Sequence, residues 1–296
     1  LARMPQVSAA LTLPFGHGQL ALAGRRELGK RLRGAGYGQA IVLPNSLKSA
    51  LVPWFANIPR RTGWRGEWRY GLLNDLRTLD ADQYPQMVQR FAALALDAGS
   101  RLAESPPRPR LEVDDGQVAR LRQALSLEEG RSTMALCPGA EFGEAKCWPP
   151  GHYAALAQCY LDRGWQVLLL GSAKDRAATG AVREALGAGS ACLDLAGDTT
   201  LSEAIDLLSM VDAVVTNDSG LMHIAAALQR PLVAIYGATS PLFTPPQGDR
   251  VACRVSTIEC APCFQRTCPL GHHRCMREIL PGQVIAELDA LLAGKR

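Results

Sequence analysis

The stretch VVTNDSGLMHIAAAL (214–228) puts an acid, a hydroxyl, a glycine and a histidine where an apolar run gives way to a helical pattern. A helix starting near Ser219 or Gly220 directs unpaired backbone amides and a positive dipole end outward, which suits a phosphate. Gly220 leaves room for a ligand to come close. Asp218 reads either as a ligand-binding acid or, like Ser219, as an N-cap. His223 reads either as a pocket group or as a satisfied core histidine. Three further segments carry related chemistry. CPGAEFGEAKCWP (137–149) holds Glu141 and Lys146, and a lysine there can neutralise a diphosphate or stand as a solvated surface cation. GSAKD (171–175) offers Asp175, suited to ribose hydroxyls or to capping the next helix. GATSPLFTPP (237–246) is rich in turn formers and hydroxyls. None is specific alone; together they outline a nucleotide-diphosphate pocket.

Such residues converge only if the elements behind them share a sheet. TMALC (133–137), WQVLLLG (165–171), ACLDLAG (191–197), AVVTN (213–217) and PLVAIYG (231–237) are apolar enough for buried strands. Helical patterns over 151–164, 174–187, 199–211 and 220–230 separate them, and Thr200 with Glu203 has capping-box spacing. Near-continuous apolar strands alternating with helices predict a parallel sheet covered on both faces. Ligands of such sheets collect beyond the carboxyl ends of the strands, where all four segments fall.

The first half repeats the theme less cleanly, with helical patterns over 17–36, 46–58 (interrupted at Pro53) and 84–99, and a strand at 39–44. ESPPRPRLEV (104–113) reads as the approach to a linker. The expected organisation is an α/β domain over 1–125, a second over 126–279, and a C-terminal helix over 280–296 that can cross back to the first. RRTGWRGEWR (60–69) concentrates arginine against a single glutamate and forms a local basic patch.

The totals narrow the class. A net charge of +4 over 296 residues gives no reason to expect nucleic acid. No apolar run reaches the ~18 residues of a membrane-spanning helix, and the start shows no signal-peptide pattern. An odd number of cysteines, nine, in such a chain points to a reducing compartment. GxxxxGK[ST], GxSxG and HExxH are absent. GAGYG (34–38) precedes a strand instead of following one, so it lacks the context of a dinucleotide fingerprint.

PGAEFGEAKCWP, GSAKD, NDSGLMHIAAAL and PLVAIYGATSPLFTPP, in this order, together with LPNSLKSALVPWFANIPRRTGWRGEWRYGLLNDLR (43–77), resemble the type II ADP-heptose:lipopolysaccharide heptosyltransferases over nearly the whole chain. The resemblance implies a GT-B fold, two Rossmann-like domains whose parallel sheets face a cleft. It implies inverting transfer of L-glycero-D-manno-heptose from ADP-heptose to the heptosyl-Kdo inner core on lipid A, with no obligatory metal or other cofactor. On the donor side it implies Lys146 at the diphosphate and leaving group, Asp175 at the ribose, and Asp218, Ser219, Gly220, Leu221 and His223 lining the pocket. On the acceptor side the candidates are Asn45, Ser46, Lys48, Arg60, Arg61 and Arg65. An anionic lipid acceptor implies peripheral contact at the cytoplasmic face of the inner membrane, made by apolar and basic surface. The aspartate that serves as general base in these enzymes has no counterpart in the residues given, so the expected base lies before residue 1 and the chain is expected to lack full activity. Cys147 stands where such sequences often carry a second basic residue. The alternatives are a GT-B enzyme using a UDP-sugar and a catalytically inert nucleotide-binding protein.

CAPCFQRTCPLGHHRC (260–275) gathers Cys260, Cys263, Cys268 and Cys275 with His272 and His273. Crowded Cys and His can bind zinc, but the spacing fits no standard finger. Structural zinc, reduced thiols in an ordered loop and disulfides all remain open, and zinc is not the favoured reading.

Overall fold

The computed structural model describes residues 1–16, 18–103, 106–187 and 191–294. They form two compact units, one of Leu11–Pro107 with Leu242–Thr244, the other of Leu1–Ala10, Arg108–Pro241 and Pro245–Arg296.

The smaller unit contains α1 (Leu22–Arg33), β1 (Gln39–Val42), α2 (Leu51–Phe55), β2 (Arg60–Trp64), β3 (Asp75–Arg77) and α3 (Met87–Ala95). The three strands pair in parallel in the order β1-β2-β3. The helical reading over 46–58 resolves into a 3-10 turn, Leu47–Ala50, and then α2. Pro53 sits inside α2, in its first turn, where the missing N–H costs nothing. The break comes earlier, at the change of helix type.

β2 carries no apolar run because polar groups hold it. Thr62 and Arg60 both bond Asp75 Oδ2 on β3, at 2.9 and 3.2 Å, and Arg77 bonds the same carboxylate through both oxygens. Those bonds, with Arg77 first, pull the Asp75 carboxyl down to about 2.

The larger unit runs α4 (Asp115–Ala124), β4 (Thr133–Cys137), α5 (Pro150–Asp162), β5 (Gln166–Leu169), α6 (Arg176–Leu186), β6 (Cys192–Asp194), α7 (Leu201–Met210), β7 (Ala213–Asn217), α8 (Gly220–Ala227), β8 (Leu232–Tyr236), β9 (Val251–Val255), α9 (Arg274–Arg277) and α10 (Pro281–Leu292). Its strands form one parallel sheet in the order β6-β5-β4-β7-β8-β9. This is a doubly wound sheet: the chain starts in the middle, winds to one edge, then returns to wind to the other. Alternate residues of each strand enter opposite cores. Met134, Leu136, Val167 and Val215 pack on one face with α5 and α10 residues such as Tyr153 and Leu288, while Ala135, Leu168 and Val214 pack on the other with Leu207 and Met222. Burial on both faces explains why these strands read as unbroken apolar runs.

The contact boundary falls at 107/108 and not at 125/126, and the first ten residues join the larger unit. The buried carboxylate of Asp206 on α7 explains both differences. It takes an ion pair from Arg3 and a hydrogen bond from the Asp114 amide at the start of α4. Leaving such an acid unpaired is costly, so both segments are tied to α7. α10 likewise belongs to the larger unit, packing on α5, β8 and β9. Asp289 on α10 accepts from Tyr160 and Arg163 at 2.8 and 2.7 Å.

Candidate active site

In the larger sheet β4 is the turning point. The chain leaves it for β5 on one side and later places β7 on the other. The loops after β4 and β7 therefore diverge and leave a crevice at the carboxyl edge, the place where such sheets bind ligands. A pocket of about 420 Å³ opens there, walled by Gly139 and Ala140 after β4, by Ser172 and Asp175 after β5, and by Ser219, Gly220 and Leu221 at the start of α8. Leu170, Ala204 and Ile224 give it an apolar floor.

Ser219, and not Asp218, caps α8: its hydroxyl accepts from the Met222 amide at 3.5 Å. The first-turn amides of Gly220 and Leu221 have no helical acceptor and lie on the pocket wall. Asp218 has different partners. Its side chain is buried, and Oδ2 accepts from Lys146 Nζ at 2.6 Å and from Thr239 Oγ1 at 2.7 Å. One carboxylate thus gathers the loops after β4, β7 and β8. Lys146 also lies over the Phe142 ring, 4.7 Å from its centroid.

Asp175 does two things. Its Oδ2 accepts from the Ser172 amide and hydroxyl at 2.7 and 2.8 Å, closing a capping box over the turn that precedes α6. The same carboxylate forms part of the pocket wall. It fits there because Gly139 has no side chain; a Cβ at that position would lie 2.1 Å from Asp175 Cγ. His223 is exposed on α8 and is not a core residue. Desolvation by the protein crowded around it lowers its pKa, with the Lys146 charge acting in the same sense and Asp218 in the opposite one. Lys146, Asp218 and His223 stand beside the pocket and do not line it.

Asn217 went unnoticed in the sequence. Fully buried at the end of β7, it donates to Pro138 O at 2.6 Å and accepts from the Trp148 amide and Tyr153 Oη, both at 3.0 Å. It clamps the 138–148 loop, and so Lys146, to β7. Its signal was an amide at the end of an apolar strand, a place where a buried polar group must be satisfied.

In the smaller unit the six expected acceptor residues divide. Asn45, Ser46 and Lys48 follow β1, and Arg65 follows β2, so these four share the carboxyl edge of their sheet. The two loops are laced together. Glu67 accepts from the Leu47 amide at 2.7 Å, the Glu67 amide donates to Asn45 O at 3.1 Å, and a Cβ on Gly66 would sit 2.4 Å from that oxygen. Arg69, also missed, is buried between them. It donates to Pro44 O at 2.7 Å, to Asn45 Oδ1 at 3.3 Å and to Trp64 O, and burial lowers its pKa. Arg60 and Arg61 stand at the other end of β2, roughly 16 and 13 Å from Arg65 at strand rise. Arg60 pairs with Asp75 and Asp97, and Arg61 donates to Leu72 O and Ile58 O. These contacts stabilise the fold and leave little to offer a ligand. Lys48 and Arg65 have no ion pair among the described residues.

Cys260, Cys263, Cys268 and Cys275 line one small cavity with His272. All nine cysteines are free thiols. Among the described residues no group of three or more His, Cys, Asp or Glu has a metal-holding arrangement, and no helix is long and apolar enough to cross a membrane.

Known proteins resemble this chain in sequence and in fold. Lipopolysaccharide heptosyltransferase 2 of Escherichia coli (strain K12) is 48% identical over 99% of this chain and 86% of its own. Lipooligosaccharide heptosyltransferase 2 of Haemophilus influenzae is 46% identical over 99% and 87%. The solved structure of E. coli ADP-heptose lps heptosyltransferase II superposes with a TM-score of 0.87 at 46% identity, over 99% of this chain and 86% of that one. A glycosyltransferase family 9 structure from Veillonella parvula, at 18% identity and TM-score 0.80, shares the fold. The fold is GT-B. Residues 25–274 match the model of glycosyltransferase family 9 (heptosyltransferase), and the chain belongs to that family.

Proposed function

We propose that the chain transfers L-glycero-D-manno-heptose from ADP-heptose to the heptosyl-Kdo inner core of lipopolysaccharide, holding the ADP in the pocket of its larger unit. The observation that carries this reading is the meeting of Lys146, Asp218 and the first turn of α8 at the turning point of a doubly wound sheet. The adenine packs on Leu170, Ala204 and Ile224, and the ribose hydroxyls bond Asp175. The diphosphate faces the amides of Gly220 and Leu221, with Lys146 beside it. The acceptor hydroxyl attacks the anomeric carbon from the side opposite the diphosphate and gives up its proton to a general base. The bond to ADP breaks with inversion, and the charge released onto the leaving phosphate is stabilised by Lys146 and by the helix end. His223, next to the same turn, faces the sugar end of the donor. None of these steps requires a metal or other cofactor.

Asn45, Ser46, Lys48 and Arg65 are the acceptor contacts in this proposal; Arg60 and Arg61 are not. Trp68, 83% exposed, stands edge-on to Tyr70 at 6.1 Å. Amphipathic rings beside basic groups suit peripheral contact with the cytoplasmic face of the inner membrane, where the acceptor is anchored. The UDP-sugar reading is not favoured, because the relatives that match nearly the whole chain are heptosyltransferases.

Incubation with ADP-heptose and heptosyl-Kdo-lipid A, read by mass spectrometry, tests the proposal. One added heptose and one ADP per turnover are expected. Transfer from UDP-sugars at an equal or higher rate would overturn it.

A further inference from the structure

We propose that Arg266, carried on the cysteine-rich loop, is the second cation of the donor site and contacts the diphosphate alongside Lys146. The inference rests on the placement of the diphosphate proposed above.

Charge balance leads to it. The Lys146 charge is already met by Asp218 at 2.6 Å, in a pair whose side chains are 13% and 6% exposed. The α8 N-terminus contributes about half a positive charge, less than a nucleoside diphosphate brings. The other basic side chains of these loops are also paired, Lys174 with Glu141 and Arg176 with Asp198, both at 2.6 Å. Cys147, next to Lys146, is a thiol and supplies no positive charge.

Arg266 differs from all of these. Like Lys174 and Arg176 it is exposed, but it forms no ion pair among the described residues. Its guanidinium lies over the Phe142 ring, 5.4 Å from the centroid, and Lys146 Nζ lies 4.7 Å from the same centroid. The two cations are therefore no farther apart than about the Debye length at 0.1 M salt, ~10 Å. An anion that reaches one is felt by the other.

The loop is built to hold this position. The Arg266 carbonyl accepts from the Ala145 amide at 3.1 Å, one residue before Lys146. Gly143, at φ 152°, permits the approach, since a Cβ there would lie 2.3 Å from the Arg266 oxygen. Two residues before Arg266, the Phe264 amide donates to Ala238 O at 2.7 Å, next to the Thr239 that bonds Asp218. The loop is thus fixed to both segments that position the Lys146–Asp218 pair.

Calorimetric titration of wild type, Arg266→Ala, Arg266→Glu and Lys146→Ala with ADP and with adenosine tests the assignment. Arg266→Ala should weaken ADP binding roughly 10-fold, the scale of one lost charge-assisted contact, and leave adenosine binding unchanged. Arg266→Glu should weaken ADP further, whereas a packing role predicts equal losses. Unchanged ADP affinity in Arg266→Ala, or a parallel loss for adenosine, overturns the inference. If Lys146→Ala also leaves ADP affinity unchanged, the diphosphate placement itself fails; if only Lys146→Ala weakens ADP, that placement stands and Arg266 has no part in it.

Discussion

Asp218 is the residue on which the proposed donor site turns, and its environment gives it an unusual consequence on substitution. Breaking a mostly buried ion pair leaves the partner charge uncompensated. Asp218→Asn should therefore cost about 3 kcal/mol of stability, because Lys146 keeps its charge and loses its partner. ADP can restore that partner. The variant should melt well below wild type without nucleotide and gain a larger shift on adding ADP, measured by differential scanning fluorimetry. A smaller shift than wild type would show that Lys146 and the diphosphate do not meet. The residue scale also separates the arginines. Lys48→Ala and Arg65→Ala should raise the KM for the acceptor several-fold at unchanged ADP affinity. Arg60→Ala and Arg61→Ala should lower the melting temperature with little change in KM; the reverse pattern would restore the basic-patch reading of 60–69. That patch was visible in the sequence, but its division was not. Which arginines face a ligand depends on the end of β2 they occupy, and β2 shows no apolar pattern to reveal its ends.

At the scale of elements, what could be read in advance follows burial. The strands of the larger sheet are covered on both faces, so each is an apolar run, and the helices between them carry start signals such as the Thr200–Glu203 box, which closes as expected. Thr200→Ala should cost about 1 kcal/mol through α7, measurable as a lower urea midpoint at unchanged m-value. β2 and β3 were missed because side-chain hydrogen bonds and ion pairs, centred on Asp75, do much of the work that apolar packing does elsewhere. Asp75 has its pKa depressed to about 2. A carboxylate with a depressed folded pKa adds stability above its unfolded pKa of ~3.9 and loses it as pH falls toward the folded value. A displacement of this size corresponds to roughly 2 kcal/mol. Asp75→Asn should thus be less stable than wild type by about that amount at pH 7, and urea unfolding should show the gap closing between about pH 4 and pH 2. A gap independent of pH would mean that the side chain acts by shape alone.

At the scale of the molecule, the shared edge of the segments after β4, β5, β7 and β8 was legible because one sheet collects the ends of its strands there, a property of topology that the order of elements already implied. The clamps that hold those segments were not. Asn217, Thr239 and Gly139 act through contacts between loops far apart in sequence; only Asn217, an amide ending an apolar strand, carries a local signal, and that signal does not name its partners. The boundary between units moved for the same reason, since Arg3 and Asp114 are joined to α7 by one buried acid. Every residue assigned to ADP lies in the larger unit, and every residue assigned to the acceptor in the smaller. Nucleotide binding should therefore be separable from acceptor use by substitution. The most direct measurement is a calorimetric titration of the chain with ADP and with UDP, repeated on Lys146→Ala. The account predicts tighter binding of ADP than of UDP and a loss of about 10-fold for ADP in the variant. Equal or tighter binding of UDP, or an ADP affinity indifferent to Lys146, would contradict it.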